Sequence, residues 1–402
     1  MKNLFACVLL LLSTITLLSG CWNQQELTDL AFVMAMGVDK GKKEKFDVSY
    51  QVVVPASVAS GQNGGGAQGS PVVVYKSSGN NLTEASRRAT KQIPRSIYYA
   101  HTTILVISEE LARDGILDLL DALDRDAVFR TTTFVTIAKG GRAEDFIATL
   151  TNLDKIPVQK FTKTLQATER MLGENIKVSI DDILANLIDP GKEPVISGFR
   201  LTGNPKKGTT PQSVVTTKPP AVVTADGLAV FKGGKLAGWL TGNEAKGAVW
   251  VMKKMQGTDI NFNWEGKKDA VSTIPFISKT KISLVRKNGK PSMNVLIETS
   301  FKLSEINVPY EVTNSMSMDV IEKKTAEQIK KDVERSIHKA QSLKADIFGF
   351  GDYLHRANPK IWKKMKGDWN DQFAKMEIHV KVDAHYRSAG KRNNPFWNDL
   401  KQ

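Results

Sequence analysis

The sequence predicts a multi-domain α+β protein in which mixed β-sheets carry packed helices. Three observations lead there. Short β-branched runs alternate with capped amphipathic segments between residues 31 and 188, a proline-rich stretch at 204–220 interrupts them, and the strand-rich second half holds one long amphipathic helix near 318–344.

Taken in order, Ala31–Val38 is apolar and β-prone, and Phe46–Val54 alternates Phe46, Val48 and Tyr50 with polar neighbours as a half-buried strand does. Val72–Tyr75 is a further short strand. Between them, residues 57–70 carry Gly61, Gly64, Gly65, Gly66 and Gly69 and too little apolar surface to order themselves, which predicts a mobile hairpin loop. With no Lys-Ser/Thr after the glycines, the loop lacks what a phosphate cradle needs. Asn81–Ile93 reads as a helix capped by Asn81, with Glu84 three residues on and Pro94 as the stop. Thr102–Ile107 is a buried-type strand, and Ser108 opens a helix through about Leu120 with the apolar stripe Ile116, Leu119, Leu120 and Leu123. Thr131–Ala138 is a strand, Ala143–Leu150 a short helix, and Ser179–Ile188 a capped helix closed by Asp189-Pro190-Gly191.

Beyond the prolines, Gly227–Leu240 predicts a hairpin turning at Gly233-Gly234, and Thr241 with Glu244 is a capping-box signature for a helix to Met252. Strands follow near Ile260–Trp264, Ile277–Val285 and Met293–Leu303, the last two flanking the turn pair Asn288-Gly289. In the long helix, Ile329, Val333, Ile337 and Ala340 repeat at helical steps while charged residues fill the other face. Met376–Tyr386 closes the pattern as a strand with Ile378, Val380 and Val382 on one side. The division expected is a leader at 1–20, an N-terminal α+β domain at 21–203, a linker at 204–220, and a C-terminal α+β region at 221–402 with a candidate split near 270.

The first residues set the compartment. Lys2 supplies a positive start, Leu4–Leu18 is nearly unbroken apolar sequence, and Ser19-Gly20 precede Cys21. Small residues let an extended backbone enter a signal peptidase, so cleavage is expected between Gly20 and Cys21. A cysteine at that junction is the lipobox arrangement, in which the Cys21 thiol takes a diacylglycerol group and the mature protein is tethered to the outer face of the cell membrane. Two acyl chains make such an anchor stable rather than transient. Cys7 leaves with the leader, so the mature chain holds no disulfide and relies on its core. The net charge of +14 favours contact with anionic headgroups or an acidic wall polymer, and export argues against nucleic acid as the partner.

Catalytic signatures are sparse. No His-Glu-x-x-His, paired cysteines or Gly-x-Ser-x-Gly occurs, so an enzyme is not expected. His379, Asp383 and His385 share one face of the closing strand in the manner of metal ligands, but Lys381 on the same face opposes a cation; neither metal nor cofactor is expected. Lys360, Lys363, Lys364 and Lys366 surround Trp362, a candidate membrane-facing group, although an inward tryptophan with wet lysines is the plainer reading. Asp346, Asp352 and Asp368 are candidate ion-pair partners for those lysines. Gly37-Val38-Asp39 and Phe348-Gly349-Phe350-Gly351 read as places where missing side chains let backbone elements approach.

Those same residues carry a resemblance. Cys21-Trp22-Asn23 with Glu26, Asp29–Val33 and Gly37-Val38-Asp39, together with Asp346–Gly351, Pro359, Trp362, Trp369, Phe373 and the closing strand to Gly390, resemble the mature C subunits of bacterial spore germinant receptors. Asn23 and Val38 are small departures. The resemblance implies an α+β fold in several small domains and a non-enzymatic lipoprotein at the spore inner membrane. It also implies polytopic A-type and B-type subunits as partners in a complex that answers small nutrients by releasing ions and dipicolinate. Direct nutrient contact by this subunit is left open. A solute-binding lipoprotein of a transporter is the alternative, and it requires two similar α/β lobes around a cleft; a wall-modifying hydrolase is the third reading.

Overall fold

The computed structural model describes residues 3–5, 26–59, 69–287, 290–308 and 315–388. Among the described residues, thirteen strands form two sheets. The first is built from β1 (Leu30–Lys40), β2 (Phe46–Val53), β3 (Val72–Gly79), β4 (Ser96–Tyr98), β5 (Ile104–Ser108), β6 (Phe134–Lys139), β7 (Val195–Gly203), β8 (Ala221–Lys232) and β9 (Lys235–Leu240). Its order is β3-β2-β1-β5-β6-β7-β8-β9, with β4 pairing beside the start of β1. The middle strands β1, β5, β6 and β7 run parallel and the flanking ones antiparallel. The second sheet has the order β10 (Ile260–Trp264), β11 (Lys267–Lys287), β12 (Lys290–Ile306) and β13 (Ile378–Ser388).

The parallel strands explain the helices. A parallel neighbour requires a crossover, and a crossover helix must bury its apolar stripe on the sheet. On one face, α1 (Leu82–Ala89), α2 (Glu109–Asp114), α3 (Leu117–Asp124) and α6 (Ile180–Ile188) join a core with Val38, Val48, Leu105 and Ile137. On the other, α4 (Ala143–Ala148) and α5 (Pro157–Met171) pack on Ala35, Ile104, Val106 and Phe199. The caps at Asn81 and Ser179 form where the sequence places them. Asn81 accepts from Glu84 N at 2.9 Å, and Ser179 and Asp182 make a reciprocal box.

Several expectations are corrected. The helix opened by Ser108 is two helices, because Gly115 has φ 135°, outside helical geometry; the stripe Ile116, Leu119, Leu120 and Leu123 is nonetheless buried. The capping box at Thr241 does not form: Gly242, at φ 52°, precedes α7 (Asn243–Val251), and only the Thr241 carbonyl accepts from Glu244 N. The strands β4 and β7 and the helix α5 were not anticipated. The proline-rich segment 204–220 is no free linker, since it returns β7 to β8 within one sheet, pairing Gly203 with Ala221. Nor does the chain divide near 270, which lies inside the β10–β11 pairing. Asn288-Gly289 and most of the glycine-rich loop fall outside the described residues.

Helix α8 (Ser315–Ser342) lies against the second sheet with Ile321, Ile329, Val333, Ile337 and Ala340 buried. Helix α7 is enclosed from Ala245 to Val251, a run apolar on every side except at Lys246. It approaches α8 so closely that a methyl on Gly247 would sit 2.1 Å from the Asp332 carbonyl oxygen. One continuous core therefore passes from the first sheet through α7 to the second.

Two effects oppose each other in Gly247→Ala. Helix propensity favours alanine by about 1 kcal/mol, whereas forcing a backbone contact apart in a packed core costs about 1–3 kcal/mol. The contact wins, and a lower urea midpoint for the variant is the expected result.

Candidate functional site

Three polar constructions organise the molecule. The first receives α4 onto β1. Gly37 and Asp39 lie two residues apart and so face the same side of the strand. A methyl on Gly37 would stand 2.5 Å from Ser49 Oγ and 3.1 Å from the Ala143 backbone, so only glycine leaves room for the helix. The Asp39 carboxylate then accepts from Ala143 N at 2.8 Å and Glu144 N at 3.1 Å, satisfying two orphan donors at the helix start. Burial raises its pKa, against the pull of those two bonds and of Arg142 at 3.7 Å.

The second construction is at Asp346, which is fully enclosed. Its Oδ1 accepts from Phe348 N at 3.1 Å and Gly349 N at 3.0 Å; its Oδ2 accepts from Gly351 N at 2.9 Å and from Trp369 Nε1 at 3.0 Å. Gly349 has φ 75°, a left-handed turn that brings these amides round the carboxylate before α9 (Phe350–Ala357) begins. Gly351 packs on Gly191, where an added methyl would lie 2.5 Å from the Gly191 Cα. The Asp346 carbonyl accepts from Glu193 N at 2.8 Å, and Glu193 Oε1 accepts from Asn370 Nδ2 at 3.1 Å. The approach to β7 in the first sheet is thus fastened to the helices that follow α8. Burial pushes the Asp346 carboxyl up to about 6, while four donors pull it the other way.

The candidate membrane-facing group separates into two parts around this centre. Trp362, in α10 (Pro359–Met365), is 3% exposed and meets Trp369 edge-on at 5.3 Å and His355 at 5.7 Å. It is an inward-packed ring and not a membrane contact, seated against Trp369, whose indole is fixed by its bond to Asp346. Lys360, Lys363, Lys364 and Lys366 are exposed. The partners expected for them are engaged elsewhere: Asp346 is enclosed, Asp352 pairs with Arg356 at 2.5 Å, and Asp368 accepts from Gln372 at 2.7 Å. On β13, His379 and His385 are exposed, and Lys381 Nζ bonds Asp383 Oδ2 at 2.8 Å. Among the described residues no group of three His, Cys, Asp or Glu is placed to hold a metal ion. Gly20 and Cys21 lie outside the described residues.

A third construction escaped sequence reasoning. Lys246 is 7% exposed within α7 and bonds Asp259 Oδ1 at 2.7 Å, with Glu174 at 4.0 Å. Facing it is Asp332 of α8, 2% exposed, whose Oδ1 accepts from Gln328 at 2.9 Å. Burial raises the Asp332 pKa to about 6. The available signal was one lysine inside the apolar run Ala245–Val251. Beside these constructions, a cleft of about 330 Å³ opens between the two sheets, with Lys192, Lys253, Lys254, Tyr353 and Arg356 among its walls.

Residues 23–201 match the family of spore germination protein N-terminal domains, and residues 226–390 match the spore germination B3/GerAC-like C-terminal family. The chain belongs to this family. It is 39% identical to Spore germination protein KC of Bacillus subtilis (strain 168), over 100% of this chain and 99% of that protein. It is 26% identical to Spore germination protein B3 of the same organism, over 92% and 93%. A crystal structure of the GerBC protein shares the fold with a TM-score of 0.52 at 18% identity, covering 90% of this chain and 99% of that one. The two family matches meet across the β7–β8 return, yet β8 and β9 complete the first sheet, so the sequence families and the hydrogen-bonded sheet divide the chain differently.

Two outcomes test the carboxylates. In Asp346→Asn, one oxygen becomes an amide donor facing amide donors, and each orphaned buried N–H costs about 1–3 kcal/mol; a loss of roughly 2–5 kcal/mol in urea unfolding is expected. For Asp332, a folded pKa near 6 exceeds the unfolded value of 3.8, so the native state holds the proton more tightly. Its contribution is complete below about pH 4 and is lost as pH rises through about 6. The stability of Asp332→Asn minus that of the parent should therefore rise across that window.

Proposed function

We propose that the chain is the C subunit of a nutrient germinant receptor, an interaction subunit with no catalysis of its own. Cleavage after Gly20 leaves Cys21 as a diacylglyceryl residue, holding the folded body on the outer face of the cell membrane and, in the dormant spore, at the inner membrane. There the polytopic A-type and B-type subunits are its partners. The observation that carries this reading is the full-length likeness to Spore germination protein KC.

Two further observations favour it. None of the described helices is long and apolar enough to cross a membrane, so a lipid on Cys21 supplies the attachment the described fold does not. The two sheets differ in strand number and order, which disfavours the paired similar lobes of a solute carrier. The polar constructions at Asp39 and Asp346 consist of carboxylates saturated by backbone and indole donors. A group so engaged is a poor general base, because its lone pairs are already occupied.

Cys21→Ala tests the proposal. The variant is expected to leave the membrane fraction and to slow the germination response of spores that carry it. Spores that keep the variant at the membrane and germinate at the parental rate would refute the anchoring role.

A further inference from the structure

The short distance from Cys21 to the folded body restricts which surface meets the bilayer. Four residues separate Cys21 from Glu26, a span of five residue steps and at most about 18 Å even fully extended. A single 3-10 turn, Leu27–Asp29, then leads straight into β1. The start of β1 is therefore held close to the headgroups. The far end of that strand, eleven residues long, lies about 33 Å away.

What surrounds the start of β1 is suited to an interface. Strand β4 pairs Ser96 with Leu30 and Tyr98 with Phe32, setting the aromatic rings side by side. Phe32 and Tyr98 meet edge-on at 5.8 Å, Phe32 and His101 lie 5.5 Å apart, and Tyr98 and His101 5.7 Å apart. Phe32 and Tyr98 are half-buried and His101 is exposed, so the cluster is a surface feature and no part of either core. Arg95, just before β4, is exposed, and Leu27 is 73% exposed. Rings with a polar edge settle at the headgroup level, and a guanidinium finds phosphates there. Glu26 and Asp29 are exposed at the same entry and oppose deep penetration into an anionic surface. At the far end, Lys40 and Lys45 are engaged with Asp114 and Asp118.

We propose that the Phe32–Tyr98–His101 cluster, flanked by Leu27 and Arg95, is the surface that lies against the lipid headgroups in the anchored protein. This rests on the anchoring of Cys21 and adds an orientation to it: β1 stands away from the membrane, and its turn with β2, bearing Lys42 and Lys43, points outward.

The mature chain suits a direct test, because Cys21 is the one cysteine left after cleavage and acylation blocks its thiol. His101→Cys and, separately, Lys43→Cys are spin-labelled on the lipidated protein in vesicles of phosphatidylglycerol and phosphatidylethanolamine in equal parts. Collision with oxygen and with a water-soluble nickel chelate then reports depth. The expected result is a several-fold higher oxygen-to-nickel ratio at 101 than at 43. Equal ratios on protein that floats with the vesicles overturn the proposed surface while leaving the anchor intact, and so does a higher ratio at 43. Protein that does not float refutes the anchor, and the surface falls with it. Arg95→Cys provides a second label site should His101→Cys not fold.

Discussion

The buried Asp346 carboxylate is the constraint around which the second half of the molecule is arranged. Enclosing an ionisable group costs several kcal/mol, which its hydrogen bonds must offset. Four donors do so, each charge-assisted bond contributing about 1.5–3 kcal/mol. The near-balance of cost and gain means that the group selects a geometry more than it adds stability. Displacing the turn at Gly349, the approach of Gly351 to Gly191 or the indole of Trp369 leaves part of the carboxylate unsatisfied inside the protein. The loop before β7 and the helices after α8 are thereby held in one arrangement.

Asp39 applies the same physics at the other end of the chain. There the strand supplies the carboxylate, the helix supplies the orphan amides, and Gly37 supplies the space. In each case a glycine lies within five residues of an enclosed aspartate, because two backbones must come close before a short carboxylate can reach the amides of the second. The N-terminal and C-terminal residues that carried the family resemblance are, in these two places, architecture.

The legibility of the fold in the sequence follows from how local each determinant is. Asn81, Ser179 and the turn Gly233-Gly234 act on neighbours within a few residues, and each does in the structure what its spacing implies. Strand β7 was missed because Gly198 and polar neighbours interrupt its apolar run; that glycine exists to admit the Trp239 ring from β9, a partner some forty residues away. Thr241 failed as a cap because Gly242, with positive φ, turned the chain into α7 instead. The prolines at 205, 211, 219 and 220 break the apolar periodicity and so suggest a linker, and only the pairing of Gly203 with Ala221 shows that the chain returns to the same sheet. Asp346 was assigned to surface lysines for the same reason: sequence proximity brings Lys360–Lys366 to mind, whereas its partners are amides and an indole turned inward by the fold.

A chain whose most recognisable residues are committed to internal geometry leaves recognition to its exposed surfaces. Those surfaces here are polar and mainly cationic, and they differ in how firmly they are fixed. The lysines of α10 ride on a helix whose buried residue, Trp362, meets Trp369 of the Asp346 centre edge-on, so their spacing is set by the core even though each side chain is exposed. The open face of β13 is fixed by parallel pairing with β12 over ten positions, which holds His379, Lys381 and His385 at constant separation. Rigid presentation of this kind lowers the entropy cost of meeting a partner. The internal carboxylates therefore bear on the surface indirectly, by holding these exposed residues in a fixed arrangement.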